Sequence, residues 1–434
     1  MKKLLITDAR KIERGNDLTP CEILIEGGRI RRVSAYIERE EDMLILEAEG
    51  KLVTPGFIDV HVHLREPGYA YKETIHSGSR AGALGGYTTL FAMPNTKPTV
   101  DQVSVLQALQ EKSGRDSIIR CGFYSSITLG EEGVETVDFQ EMNRAGAVGF
   151  TDDGKGVQNA GQMYKAMREI AKFDGLVSAH CEEESMLFGG YIHEGSYSRE
   201  FGHRGIHPLA EDLQILRDAA ISEETGCRYH ICHMSTKNGV RALRRAREDG
   251  VRISGEVTPH HLLLNEMDLR EDGNYKMNPP LRSKEDQEEL IRALNEGVIE
   301  VIATDHAPHS LEEKNRGLAQ SSFGIVGLET AFPLLYTHLV RKGRITLERL
   351  IDAMTKGPKK VFGLPYGELE AGQEADLTLI DLERKYTIDR NDFISMGRNT
   401  PFQGYEVQGK VDTVICQGKV IVRGGKIIEQ EVNA

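Results

Sequence analysis

Two histidines one residue apart, in Asp59-Val-His-Val-His-Leu-Arg-Glu-Pro-Gly68, are where the sequence is best equipped for chemistry. Side chains alternate along a β-strand, so Asp59, His61, His63 and Arg65 are expected on one face, and Ile58, Val60, Val62 and Leu64 on the other. Two imidazoles on one face can share a metal ion, and Arg65, one step along, can meet an anion beside it. A lone His-x-His is common on surfaces and in satisfied cores, so the inference turns on where the other histidines and carboxylates fall. They recur at the ends of short apolar runs: Asp152 and Asp153 follow run 147–151, His180 ends run 175–180, His233 ends run 229–233 and Asp305 follows run 298–304. Four imidazoles and at least two carboxylates exceed the three protein ligands of one catalytic zinc. The set suits two metals, one carboxylate between them and a shared water activated for attack on an amide-like bond. Asp305 can be both a ligand and the base that passes a proton to the leaving nitrogen.

The remaining histidines lack such positions. His76 falls in a helical pattern, and His193, His203, His207, His230 and His338 match no strand end. His260 and His261, in Thr258-Pro-His-His, suit a supporting or core role, and His306 is a neighbour of Asp305. Six scattered cysteines without C-x-x-C spacing argue for free thiols rather than a disulfide framework or a thiolate zinc site.

Positioning these groups requires a particular architecture. Runs at 57–62, 87–93, 118–124, 147–151, 175–180, 229–233, 252–257 and 298–304 alternate with amphipathic helical patterns, which predicts an α/β fold, a (β/α)8 TIM-like barrel. Catalytic groups of such barrels lie at the C-terminal ends of the strands, where the polar residues fall here. Short β-rich runs at both ends of the chain are too small for separate cores. They predict one small discontinuous β-sandwich domain, 1–54 with 366–434, beside a barrel over 55–365. Residues 310–323 form the longest irregular stretch after the last strand, suited to a lid or a surface excursion.

Composition narrows the partners. With 434 residues, a formal net charge of -13 and no basic run, the chain offers no nucleic-acid or anionic-membrane surface. The opening Met-Lys-Lys-Leu-Leu-Ile-Thr-Asp reaches a charge too soon for a signal-peptide core, and no later run approaches a membrane span, so a cytoplasmic location and a small-molecule substrate are expected.

Asp59-Val-His-Val-His-Leu-Arg-Glu-Pro-Gly68, Ala92-Met-Pro-Asn-Thr96, and Ala303-Thr-Asp-His-Ala-Pro-His309 with Lys314 closely resemble the dihydroorotases of the amidohydrolase superfamily, in the long-chain bacterial type. The resemblance spans essentially the whole chain. It implies a zinc-dependent, reversible conversion of N-carbamoyl-L-aspartate to L-dihydroorotate in pyrimidine biosynthesis, on a distorted barrel with a small β domain. It implies two Zn2+ per subunit: His61, His63 and Asp305 on one, His180 and His233 on the other, Asp153 bridging, and Asp305 as proton shuttle. Arg65, Asn95 and His309 match residues that hold the substrate carboxylate, Asn278 a ring contact and Phe323-Gly324 a backbone contact, with His63 also counted on the substrate side. A homodimer, and association with aspartate carbamoyltransferase, are expected as partners. Two departures stand out: no lysine lies on the fourth strand to form a carbamate bridge, since Lys155 follows it, and Ser321-Ser322 stand where Ala-Pro is expected. Dihydropyrimidinase, hydantoinase and allantoinase are the nearest rivals, and Arg65 and Asn95 argue against them because a neutral ring offers no carboxylate and would leave that arginine unpaired. A non-catalytic subunit would have lost ligands, and here none is missing.

Overall fold

The computed structural model describes residues 3–428. The first five strands are β1 (Lys3–Arg14), β2 (Asp17–Glu26), β3 (Arg29–Ser34), β4 (Met43–Glu47) and β5 (Leu52–Pro55). Next come β6 (Phe57–Val62), β7 (Tyr87–Ala92), β8 (Arg120–Phe123) and β9 (Leu176–Ala179), then the short pair β10 (Ile192–His193) and β11 (Gly205–Ile206). The series continues with β12 (Arg228–Ile231), β13 (Ile253–Val257) and β14 (Val301–Ile302). At the far end lie β15 (Leu377–Thr387), β16 (Glu406–Cys416), β17 (Lys419–Arg423) and β18 (Lys426–Ile427).

Both ends of the chain enter one sheet, ordered β18-β17-β16-β15-β5-β1-β2-β3 with β4 added to β1. The join is antiparallel, Leu377 opposite Pro55 and Ile380 opposite Leu52. Ile6, Ile23, Ile25 and Val53 from the first part share a buried cluster with Leu377, Leu379 and Ile415 from the last, so neither part closes a core without the other.

The middle of the chain is parallel. β6, β7 and β8 form one run, and β9, β12, β13 and β14 another. They are joined through Phe150, which bridges Ser125 on one side and Val177 on the other, and through a parallel bridge between Val62 and His306. The fourth strand expected over 147–151 is thereby reduced to its hydrogen bonds: Phe150 N to Leu176 O (3.0 Å), Ser178 N to Phe150 O (2.9 Å) and Thr151 N to Ser125 O (2.9 Å). A side chain at Gly149 would come within 2.9 Å of the Tyr124 ring, so the backbone there passes too close to its neighbour for a residue with a Cβ. Ile58, Val60, Phe91, Tyr124, Val301 and Ala303 fill the interior. Phe362 of the helix Lys356–Phe362 meets Phe91 edge-on at 5.2 Å. The Arg228 guanidinium, at the start of β12, donates to the neighbouring Val361 carbonyl, so this contact marks the N-terminal ends of the strands.

Local chemistry starts the outer helices. Thr236 Oγ1 accepts from Gly239 N (3.0 Å) to open Lys237–Glu248. Ser283 and Asp286 cap each other at the head of Lys284–Asn295. The stretch 310–323 is not irregular: it holds the short helices Leu311–Lys314 and Gly317–Gln320, pinned by a buried lysine described below. No helix among the described residues is long and apolar enough to cross a membrane.

Candidate active site

The first barrel strand departs from simple alternation. Asp59 pairs with Leu90 and Val62 with Ala92, so β6 carries one residue more than β7 between those pairs. This bulge lets Val60 join the interior cluster while His61, next to it, also turns inward toward the metal-binding groups. Asp59 does not share the histidines' task. Its carboxylate accepts from Thr304 Oγ1 (2.6 Å), Thr304 N and His61 N, and so fastens β6 to the segment that carries Asp305. The strand ends at Val62, and Arg65 reaches the site from a turn, with φ at 63°. His233 and Asp305 also hold positive φ, 32° and 49°. Such conformations cost roughly 1 kcal/mol or more each in residues other than glycine and concentrate at functional sites.

Five of the six expected ligands converge in two overlapping trios, His61 with His63 and Asp305, and His61 with Asp153 and His233. His63 Nε2 lies 3.0 Å and His61 Nε2 3.5 Å from Asp305 Oδ1. Asp153 Oδ1 is 3.4 Å from His61 Nε2 and 3.9 Å from His233 Nε2, while its Oδ2 is 3.6 Å from His63 Nε2. Asp153 thus stands between the histidines of both sets. His180 joins through His233, with 2.9 Å between its Nδ1 and His233 Nε2. Asp152 faces away and accepts from Ile127 N (2.7 Å), Thr128 N (3.0 Å) and Thr128 Oγ1 (2.5 Å), which fixes the loop.

Glu256, which strand-end counting misses, organises this centre. His61 Nδ1 donates to its Oε1 (2.7 Å) and His230 Nε2 to its Oε2 (3.0 Å), so the His61 ring is fixed with Nδ1 as the donor and Nε2 facing Asp153 and Asp305. Burial works against ionisation, yet His61 and His230 outweigh it and pull the Glu256 carboxyl down to about 2. A single acid within the apolar run Ile253–Val257 was the available signal. Glu256 and His61 also form a third trio with Cys232, whose thiol burial pushes up to about 12. His261 bonds Thr258 Oγ1 and the Pro279 carbonyl, next to Asn278, which is the supporting role expected of it.

The expected substrate side lies beside these groups. Arg65 is half-buried, donates from Nε to Pro308 O (3.2 Å) and places Nη2 3.3 Å from His309 Nε2. His309 Nε2 donates to Phe323 O (2.7 Å), and burial together with Arg65 pushes its pKa down to about 2, so the imidazole is neutral. Asn95 is turned onto the ligands: its Oδ1 is 3.0 Å from His63 Nδ1, and its Nδ2 donates to Asp153 Oδ2 (3.0 Å). Asn278 donates to Glu182 Oε1 (2.9 Å), and its buried Oδ1 has no partner. Gly324 has φ of 125°, and a Cβ there would lie 2.6 Å from the Ala307 Cβ, so both conformation and space call for glycine. Lys314 Nζ secures this loop by donating to the carbonyls of Lys276 (3.0 Å), Ser322 (2.7 Å) and Gly324 (2.8 Å).

The residues fit a divalent metal centre. His61 Nε2, Asp153 Oδ1 and His233 Nδ1 are buried without hydrogen-bond partners, a state that costs roughly 1–3 kcal/mol per atom unless something meets it. Burial favours neutral carboxyls, but the surrounding imidazoles win and hold Asp153 and Asp305 well below the usual carboxylate range. His61, for its part, takes a proton far more readily than free imidazole, despite burial, because Asp153 and Glu256 flank it. A centre this negative and this short of partners is suited to cations.

Curated relatives match this chain nearly end to end. A family profile described as Dihydro-orotase-like matches residues 50–239. The dihydroorotase of Bacillus pumilus is 49% identical over 409 residues, covering 94% of this chain and 95% of that protein. That of Bacillus subtilis is 46% identical over 426 residues, covering 98% and 99%. Among solved structures, the L-hydantoinase (dihydropyrimidinase) from Arthrobacter aurescens superposes with a TM-score of 0.89 at 26% identity, covering 99% of this chain and 98% of that one. A D-hydantoinase (dihydropyrimidinase) from Thermus sp. gives 0.85 at 29% identity, covering 99% and 97%. The hydantoinases share the architecture, but the sequence goes with the other branch of these cyclic amidohydrolases: the chain belongs to the dihydroorotase family.

Proposed function

We propose that this enzyme is a dihydroorotase that reversibly closes N-carbamoyl-L-aspartate to L-dihydroorotate in pyrimidine biosynthesis, with two zinc ions per subunit. The half-buried Arg65 guanidinium, paired with no carboxylate and set beside the histidine–aspartate cluster, carries the choice of substrate. A guanidinium gives a two-pronged fit to a carboxylate, which dihydroorotate has and dihydrouracil lacks.

His61, His63 and Asp305 would hold one ion, His180 and His233 the other, and Asp153 would serve both. Bound zinc would supply Lewis acidity toward the ring carbonyl and an acidified water at neutral pH. The chain's own groups do the rest. Arg65, with His309 and Asn95, holds the carboxylate and so orients the ring; Asn278 and the Phe323-Gly324 backbone meet the ring's polar edge. Asp305, kept ionised by His63 and His61, takes a proton from the attacking water on its carboxylate and returns it to the leaving ring nitrogen. In the cyclising direction the same carboxylate removes the proton from the ureido nitrogen.

On family grounds the enzyme would work in the cytoplasm as a homodimer able to associate with aspartate carbamoyltransferase, its chemistry confined to 55–365. Turnover of dihydroorotate followed by ultraviolet absorbance, beside dihydrouracil and hydantoin, tests the substrate. Ring opening of dihydroorotate at a kcat/KM at least about a hundredfold above that of the neutral rings is expected. Preference for dihydrouracil would overturn the assignment.

A further inference from the structure

Between β15 and β16 the chain leaves the terminal sheet and crosses to the loops that carry the carboxylate-binding groups. Ile394 N and Ser395 N donate to Glu329 (3.0 Å each), and Ser395 Oγ bonds Glu73. Glu73 in turn lies 3.3 Å from His306 Nε2, next to Asp305. At Gly397 the crossing segment packs so tightly that a Cβ would fall 2.6 Å from Val326 Cγ1 and 2.7 Å from Pro308 Cβ.

Asn399 lies at the centre of this contact, 2% exposed. Its Nδ2 donates to Ala307 O (2.9 Å) and Gly324 O (3.0 Å), and its Oδ1 accepts from His309 N (3.1 Å). Its own carbonyl accepts from Val326 N (2.9 Å). One side chain therefore binds together the stretch that presents His309 and the stretch that presents Gly324, using both amide donors and the acceptor. Separated, those two stretches would lose the 2.7 Å bond between His309 Nε2 and Phe323 O, and His309 would no longer be held beside Arg65.

We infer that Asn399 is a positioning residue for the grip on the substrate carboxylate, supplied to the barrel by the crossing segment. The inference rests on the dihydroorotase assignment. Asn399 contacts none of the expected metal ligands by side-chain hydrogen bond, so its removal should weaken substrate binding rather than metal binding or the chemical step.

The test compares Asn399→Ala and the near-isosteric Asn399→Asp with wild-type enzyme for KM and kcat on dihydroorotate, zinc content and Tm, and repeats Asn399→Asp in an Arg65→Met background. Aspartate keeps the volume and the acceptor for His309 N but turns lone pairs toward two carbonyls. KM is expected to rise about tenfold or more in both variants, with kcat within about threefold and zinc content unchanged. In the Arg65→Met background Asn399→Asp should cost less than about twofold more, because the grip it serves is already lost. A side chain that only fills space would tolerate aspartate, or lower Tm without moving KM. If Asn399→Ala fails to fold, the aspartate variant and its double-mutant comparison carry the decision. KM within about twofold of wild type in Asn399→Asp, or an undiminished effect beside Arg65→Met, would overturn the inference while leaving the function standing. Wild-type enzyme that ignores dihydroorotate would overturn both.

Discussion

Arg65 and the two adjacent aspartates carry the sharpest consequences at the scale of single residues. Burial lowers the pKa of the Arg65 guanidinium from its ordinary value, and its polar contacts are a carbonyl and a neutral imidazole. Arg65→Met is expected to reduce kcat/KM on dihydroorotate by about 2–5 kcal/mol, the scale of a lost charge pair in a dry site, with zinc content unchanged. Near-normal kinetics would show that the anion is held elsewhere. Asp153 and Asp152 differ by one position and by everything they touch, the first among histidines, the second on the amides of Ile127 and Thr128. Asp153→Ala should therefore lower zinc stoichiometry by elemental analysis and Asp152→Ala much less, with activity indifferent to removal of bicarbonate. Equal metal loss would mean the bridge has been misplaced. Position and residue type were enough to bring His61, His63, His233, Asp305 and the pair Asp152 and Asp153 to one rim from the sequence, because strand ends of a barrel converge, while the choice of Asp153 over Asp152 came from the family resemblance. Glu256 was not found that way: its position inside β13 looks like core, and only its partners reveal its work.

At the scale of elements, β6 departs from its sequence pattern for a physical reason. Strict alternation assigns Val60 and Asp59 to the wrong tasks, because the extra residue in β6 re-aims the side chains that follow it. Bulges leave little trace in a short run of alternating residues. The fourth strand was visible as an apolar run, yet only Phe150 bridges both neighbours. The loop after β8 carries a measurable strain of another kind. Glu131 is 6% exposed, its Oε1 has no partner, and burial, reinforced by the charges of Asp152 and Asp153, pushes its pKa up to about 9. Between the ordinary carboxyl value of about 4.3 and that raised value, the folded protein keeps a proton that the unfolded chain releases. Stability from this group therefore falls as pH rises through that window, by at most about 1.4 kcal/mol per pH unit. Glu131→Gln is expected to flatten the slope and raise the urea midpoint more at about pH 8 than at about pH 6. An equal shift at both values would show that the carboxyl is already ionised in the fold.

For the molecule as a whole, similar β-rich textures at the two termini made the shared sheet legible, since neither end has enough apolar residues to close alone. The crossing segment was not legible. Residues 393–402 have no strand or helix periodicity, and the value of Asn399 exists only in contacts with residues 307–326. Composition set the broad class, an acidic enzyme for a small substrate, without pointing to the site. The whole arrangement, barrel rim, terminal sheet and crossing segment, serves one centre whose buried ligand atoms lack hydrogen-bond partners and whose carboxylates stay ionised. Its dependence on metal is best read by stripping the protein with a chelator, returning zinc in steps, and following dihydroorotate turnover against bound zinc. Turnover should be lost on stripping and return to a plateau at two equivalents per chain. Full turnover by metal-free protein, or a plateau reached without bound zinc, would contradict the assignment of this centre.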